Sequence, residues 1–428
     1  MSIRILVTGS STFFAARLIA DLGRQGVQVT AADDVRFSAG KLIRTTSRKL
    51  QTPVLSQDPG RYLETILKEL RQHQYDLLLP TFEESLLFSE YADDLRRHTQ
   101  LFLPAYTTMM ALHNKPTLHS FCQSIGVRSP HTAVVHHVDE LRAIGDMIGY
   151  PVVVKLPAAN NSVGRTYCLD QTQLETQFRR LHQQHCPIGA AAPFVQRKID
   201  GDLICTLSYC NQGQKLGEVI YRTLRTFPEA GGTAAHKESI DHPVISEITA
   251  RIARETNWSG FVGFDFIIDR TNNLPYIIDA NVRANPAIHL GFLTGVDWTT
   301  LILNLASGKS PTQHLATSGV NVHTLLLDAS WLLEGLLPSV ASMRKFPLRL
   351  KSFVSPQWPV HSRDDLLGVG EFRSALAVTW QAVSALVKSV ITGKQPGETL
   401  LSNANYDPAK TEAYRAQRPN HTVQHKAA

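Results

Sequence analysis

Gly260-Phe261-Val262-Gly263-Phe264-Asp265-Phe266-Ile267-Ile268, a polar turn, then Leu274-Pro275-Tyr276-Ile277-Ile278-Asp279-Ala280-Asn281-Val282-Arg283 is the stretch that decides the fold. Two apolar runs rich in β-branched and aromatic residues flank Asp269-Arg270-Thr271-Asn272-Asn273, which predicts a β-hairpin. With Asn272 near the centre of the turn, Asp265 and Asp279 stand opposite each other. Strand side chains alternate between faces, so Asn281 and Arg283 share the face of Asp279. Opposed carboxylates lie about 5 Å apart at Cβ and repel each other, so leaving them bare costs stability. Two carboxylates and an amide oxygen form a hard-oxygen set suited to Mg²⁺ beside nucleotide phosphates.

Working outward, residues 1–105 alternate strand and helix patterns. Ile3–Thr8, Val27–Ala32 and Asp76–Pro80 read as strands, and Thr12–Arg24 and Tyr62–His73 as helices. That alternation predicts a parallel, Rossmann-like α/β sheet. From residue 106 to 311 the pattern becomes α+β. A helix carries Lys115, a second helix spans Val138–Ile148, and the strand Pro151–Lys155 runs into the polar loop 158–164. After a helix over Gln171–Gln184, the runs 192–199, 203–210 and 215–222 predict a second sheet that the hairpin completes. Residues 312–402 form a C-terminal extension with the basic segment Arg344–Lys351 and a helical stretch from Glu371 to Ile391. Residues 403–428 read as a polar, flexible tail.

The chain has 428 residues, enough for two or three domains with cores of their own. Apolar residues make up 43% and charged residues 19%, the balance of an ordinary globular protein. The net charge of +6 is scattered over the chain, with no basic helix or zinc motif, so nucleic acid is not an expected partner. Five irregularly spaced cysteines suggest reduced thiols in the cytoplasm. The N-terminus enters a strand at once and lacks the long apolar core of a signal peptide, and no apolar run reaches membrane-spanning length.

Several further motifs suit a nucleotide site, each with a plainer alternative. Lys155 ends an apolar strand beside a small-residue loop, where it can reach phosphates; a solvated strand-end lysine is the alternative. Lys115 repeats the theme on a helix. Gln196-Arg197-Lys198-Ile199 offers backbone groups to an adenine edge, and Asp202 or Asp200 an acid to ribose hydroxyls; the alternative is a strand with a solvated turn. Arg222 and Arg225, with Gly231-Gly232 and His236 following, suit an anionic substrate or a reacting phosphate, against a surface hairpin. Thr8-Gly9-Ser10-Ser11-Thr12 resembles a dinucleotide loop but continues Phe13-Phe14-Ala15-Ala16, without the later glycines that pyrophosphate needs. Phe372, Leu376, Trp380, Val383, Val387 and Val390 form one helical stripe, read as a packing face, with membrane-surface contact as the weaker option.

Taken in order, these pieces resemble the ATP-grasp superfamily, closest to its carbamoyl-phosphate-synthetase-like branch. The series runs His113-Asn114-Lys115, Gly126-Val127-Arg128-Ser129-Pro130, Pro151 to Lys155, Val195-Gln196, Gly201-Asp202, Gly263-Phe264-Asp265 and Ile278-Asp279-Ala280-Asn281-Val282-Arg283, covering roughly residues 1–310. The resemblance implies ATP clamped between two α+β subdomains. Lys115 and Lys155 would contact its phosphates, Gln196, Arg197, Lys198 and Ile199 its adenine, and Asp202 its ribose. Asp265, Asp279 and Asn281 would hold one or two Mg²⁺, and Arg283, with Lys155 and Arg222, would steady the transferring phosphoryl group. Three departures stand out. Asp279 replaces the family's usual Glu, the loop after Lys155 has few glycines, and Arg197 stands where an acid is common.

The implied activity is an ATP-dependent ligase. It would phosphorylate a carboxylate or enol oxygen and join the activated carbon to an amine or amino acid, giving ADP and phosphate. A looser similarity, to the ATP-grasp ligases of mycosporine biosynthesis, would make the acceptor an enolised cyclohexenone. Dimers are common among similar proteins, so a homodimer is one implied assembly. The rival readings are a nucleotide-dependent sensor without turnover and, on the N-terminal sheet, an NAD(P)-dependent oxidoreductase.

Overall fold

Three sheets organise the chain, seen here in a computed structural model. It describes residues 2–158, 164–185, 192–227, 229, 232–310, 312–335, 340–354, 362–365, 367, 370–392 and 402–416. The first sheet has the order Thr46–Gln51, Gln28–Asp33, Arg4–Val7, Leu77–Leu79, all parallel. Its central strands are buried on both faces, as crossover helices such as Phe13–Arg24 and Pro59–Gln72 require. The Rossmann-like expectation holds; the edge strand Thr46–Gln51, in which partly buried and exposed residues alternate, was missed because its sequence is mostly polar.

The second sheet is small and antiparallel in every pairing: Thr132–Val134, Phe194–Arg197, Val152–Lys155, Arg165–Cys168. Helices Leu141–Ile148 and Gln171–His185 bury Leu141, Ile144, Leu174, Phe178 and Leu181 in a core shared with Val152, Val154 and Val195. The run 192–199 therefore does not join the hairpin's sheet, as its position in the sequence suggested. The chain leaves the small sheet after Arg197 and enters the large one at Gly201, where an added Cβ would meet the Ile268 carbonyl oxygen at 2.0 Å.

The third sheet runs Pro275–Asn281, Gly260–Asp269, Gly201–Asn211, Gln214–Phe227, Thr233–Ser239, Asn321–His323, Ser362–Asp364, with His314–Leu315 beside Gln214–Phe227. One face packs Ile204, Ile220, Phe264 and Phe266 into a core shared with helices Tyr106–His113 and Lys115–Ser124. The other packs Cys205, Leu207, Tyr209, Val219 and Tyr221 against the N-terminal sheet's side of the molecule.

Two expectations for the C-terminal region change. The stripe on helix Phe372–Thr392 is not a packing face: Phe372, Leu376, Trp380, Val383 and Val387 are exposed, while Ser374, Ala377 and Ala385 face inward. Small residues allow the closer approach, and the sequence pattern marked only the larger ones. The polar tail contains a docked segment. Helix Pro408–Ala416 and the turn before it lie on the N-terminal unit, with Tyr406 buried and Arg415 paired with Glu90. Residues 417–428, the rest of that tail, lie outside the described residues, as do residues 159–163 of the polar loop and Gly231.

Candidate functional site

Asp265 and Asp279 are paired directly across the hairpin, with Gly263 opposite Asn281. The turn is centred before Asn272, since Ile267 pairs with Tyr276 and Ile268 with Pro275. A regular ladder from there would place Ile278 opposite Asp265. Instead Ile278 bulges out between Ile277 and Asp279, and this one extra residue restores the carboxylate pair. Burial and the facing Asp279 charge push the Asp265 carboxyl up to about 6. Cys205, beside Asp265 on the next strand, is buried, and its thiol is driven well above its usual range.

Lys115 opens the helix Lys115–Ser124, capped by Asn114, and its Nζ lies 3.1 Å from Asp279 Oδ1. Its backbone N–H donates to Pro157 O at 2.9 Å, tying the helix to the segment just after Lys155. Lys155 Nζ donates to Gln196 Oε1 at 2.7 Å. Gln196 Nε2 donates to Thr132 Oγ1 at 2.8 Å and lies 2.6 Å from His119 Nε2. An amide nitrogen only donates, so His119 accepts at Nε2 and is held neutral; burial and Lys155 push its pKa down to about 3. Burial lowers Lys155 itself to about 7, against the pull of Asp279.

Arg283 stacks its guanidinium 4.3 Å over the Phe82 ring. Burial disfavours its charge, and Glu83, Asp279, Asp265 and Glu84 offset this in that order. Glu84 is fixed by Thr8 Oγ1 at 2.8 Å and by the N–H groups of Thr81 and Phe82 at 2.9 and 3.1 Å. Lys115, Lys155 and Arg283 thus meet the Asp265–Asp279 pair at the hairpin edge of the large sheet, with Gln196 behind Lys155 and Asn281 two residues along the strand.

Other predicted residues lie elsewhere. Tyr221 pairs with Cys205, so alternation sends Arg222 to the opposite face from Asp265, where it donates to Glu238 at 2.7 Å. Asp202 and Asp200 are exposed and pair with Arg270 at 3.0 and 3.2 Å, at the hairpin turn. The side chains of Arg197 and Lys198 are exposed, and their amides donate to His131 O and Pro151 O. Ile199 is buried. Sequence reading missed His119, Thr132, Phe82 and Glu83; the paired acids directly after the buried strand Leu77–Leu79 were the available signal.

The donor set of Asp265, Asp279 and Asn281 fits a hard divalent cation, because every donor is an oxygen and burial and the facing Asp279 charge leave the Asp265 carboxyl raised. Among the described residues no group of three or more His, Cys, Asp or Glu side chains gathers, so such an ion would complete its shell from Asn281, substrate and water. The N-terminal helix start does not fit a pyrophosphate. Ser11 N–H already donates to Asp33 Oδ2 at 2.6 Å, and Thr8 to Glu84. Among the described residues no helix is long and apolar enough to cross a membrane.

No family model matches the chain. The carbamoyl phosphate synthase large chain of Rhodopirellula baltica is 22% identical over 216 residues, 47% of this chain and 19% of that one. Formate-dependent phosphoribosylglycinamide formyltransferase of Wolinella succinogenes is 24% identical over 220 residues, 50% of this chain and 52% of that one. The chain thus spans only part of the length of these relatives. Among solved structures, the biotin carboxylase domain of Hydrogenobacter thermophilus 2-oxoglutarate carboxylase, bound to MgADP, ADP and bicarbonate, aligns with a TM-score of 0.60 at 17% identity. That alignment covers 73% of this chain and 72% of the other. L-amino acid ligase from Bacillus licheniformis aligns at 0.55 and 17%, covering 73% and 75%. Homologues and structural neighbours are ATP-grasp enzymes, and the fold of this chain is the ATP-grasp fold.

Proposed function

We propose that the chain is an ATP-dependent ligase that phosphorylates an acceptor carboxylate or enol oxygen and transfers the activated carbon to an amine or amino acid. The observation that carries this reading is the in-register Asp265–Asp279 pair with Lys115 salt-bridged to it and Arg283 on the same face. Asp265, Asp279 and Asn281 would hold one or two Mg²⁺, which when bound neutralise phosphate charge. Lys115 and Lys155 orient the polyphosphate, and Gln196 keeps the Lys155 ammonium aimed by its 2.7 Å hydrogen bond. Segment 196–199 would border the adenine with groups other than the Arg197 and Lys198 N–H, which already donate to His131 O and Pro151 O. Arg283 offsets charge on the transferring phosphoryl group as the acceptor oxygen attacks in line. The amine then displaces phosphate from the acyl or enol phosphate, so no side-chain nucleophile is required.

The test is ADP and phosphate release from Mg·ATP across carboxylates, cyclohexenones and amino acids, with products read by mass. Turnover that needs both acceptor and amine, with a product mass equal to their sum minus water, is expected. ATP binding without turnover on any pair would move the assignment to a sensor. Small-molecule substrates in a cytoplasmic homodimer complete the reading, supported for assembly by the exposed apolar stripe from Phe372 to Val387. Light scattering of the full chain checks the dimer, and a monomer at every concentration refutes it.

A further inference from the structure

The C-terminal segment reaches the site through one carboxylate. Tyr406 donates its backbone N–H to Glu83 Oε2 at 2.8 Å. The segment is built to hold that amide in place. Tyr406 is buried, its hydroxyl donates to Glu90 Oε2 at 3.0 Å and lies 3.0 Å from the Tyr106 hydroxyl, and the two rings meet edge-on. Arg415 clasps the same Glu90 through Nε at 2.9 Å. Tyr414 packs against Tyr91 and fills the space over Gly60, where any Cβ would strike its ring at 2.2 Å. Asn403 adds bonds to Asp34 and Ser56.

Glu83 is only 3% exposed, and its other oxygen, Oε1, is buried without a hydrogen-bond partner. A carboxylate in that position is costly unless charge nearby requires it. The nearby charge is that of Arg283, which Glu83 offsets across the site without a direct ion pair. Phe82, the residue before Glu83, carries the ring on which the Arg283 guanidinium rests. One dipeptide therefore supplies both the platform and the counter-charge, and the Tyr406 amide fixes that dipeptide's carboxylate.

We infer that residues 402–416 act as a positioning clamp for the reaction: the Tyr406 amide fixes the Phe82–Glu83 dipeptide, whose ring carries the Arg283 guanidinium and whose carboxylate offsets its charge, where a transferring phosphoryl group would meet it. Glu83 and Tyr406 are positioning residues, acting through Arg283. The inference rests on the ligase reading above for the role of Arg283. It makes the C-terminal segment part of the catalytic apparatus, although it follows the hairpin by more than a hundred residues.

The full chain is tested as Glu83→Gln, Tyr406→Pro (which deletes the N–H) and the double variant, with kcat and KM for Mg·ATP and thermal melting. Glu83→Gln is expected to lower kcat about 10- to 100-fold, the scale of a small misplacement, with KM for Mg·ATP changed less than about 3-fold and an unaltered melt. Tyr406→Pro should show the same split, and the double variant should lose no more than the worse single one. Additive losses, or Glu83→Gln with wild-type kcat, would overturn the clamp. Should Tyr406→Pro not fold, the Glu83→Gln split alone decides. Wild-type chain inactive on every substrate pair would instead refute the ligase reading, leaving these comparisons distinct from it.

Discussion

At the scale of single residues, the site is a balance between two like charges and the cations that face them. Asp279→Ala removes the repulsion on Asp265 but also the 3.1 Å Lys115 ion pair. These effects oppose each other, so stability should change by less than about 1 kcal/mol, while turnover falls at least about 100-fold. Denaturant melts and product release on the same preparation check both halves. Lys155 gives a pH prediction. Its pKa is lowered to about 7, so the side chain is largely neutral in the free protein at pH 8. Bound phosphates favour the charged form and raise that pKa again, so Mg·ADP binding at pH 8 should take up a proton. Titration calorimetry in buffers of different ionisation enthalpy reads this, with the uptake fading by pH 6 and absent in Lys155→Met.

At the scale of elements, two backbone details set the hairpin. The bulge at Ile278 converts a register that would miss into one that opposes the carboxylates. Gly201 lets the strand Gly201–Asn211 lie against the hairpin's first strand, where a Cβ would sit 2.0 Å from a carbonyl oxygen that cannot move aside. Gly201→Ala should therefore cost about 3 kcal/mol, measured by chemical denaturation, where a surface glycine would lose far less. Hydrophobic patterning reveals strands and helices because burial requires it. It is silent on bulges, and it points the wrong way for helix Phe372–Thr392, whose small residues pack and whose large ones are exposed.

At the scale of the molecule, burial of titratable groups sets the acid limit. His119 and His236 are nearly inaccessible, and both pKa values fall from 6.5 to about 3, chiefly through burial. Each is lower in the folded than in the unfolded chain, so the stability it preserves is complete above pH 6.5 and lost as pH falls toward 3. At about 1.4 kcal/mol per unit, each imidazole costs the fold on the order of 3 kcal/mol by pH 4. The melting temperature should drop steeply between pH 6 and 4. His236→Phe should flatten that slope, and an unchanged slope would show that this imidazole is not the acid-sensitive group.

The order of motifs from Lys115 to Arg283 was legible in the sequence, and so were the parallel N-terminal sheet and the opposed aspartates. All rest on local periodicity, or on spacing within one hairpin. Arg222 and Asp202 went astray because the face or partner of a residue depends on register and on charges elsewhere: Glu238 for one, Arg270 for the other. His119 and Thr132 were invisible because each gains its role from Gln196, distant in the chain; Glu83 stood out only as one of two paired acids, and its partner Tyr406 lies as far away. The sequence by itself determined which chemistry was present, since residue types and local spacing survive any folding. Only the tertiary structure decided which groups share a face, because desolvation and hydrogen bonding act on neighbours in space, not in sequence.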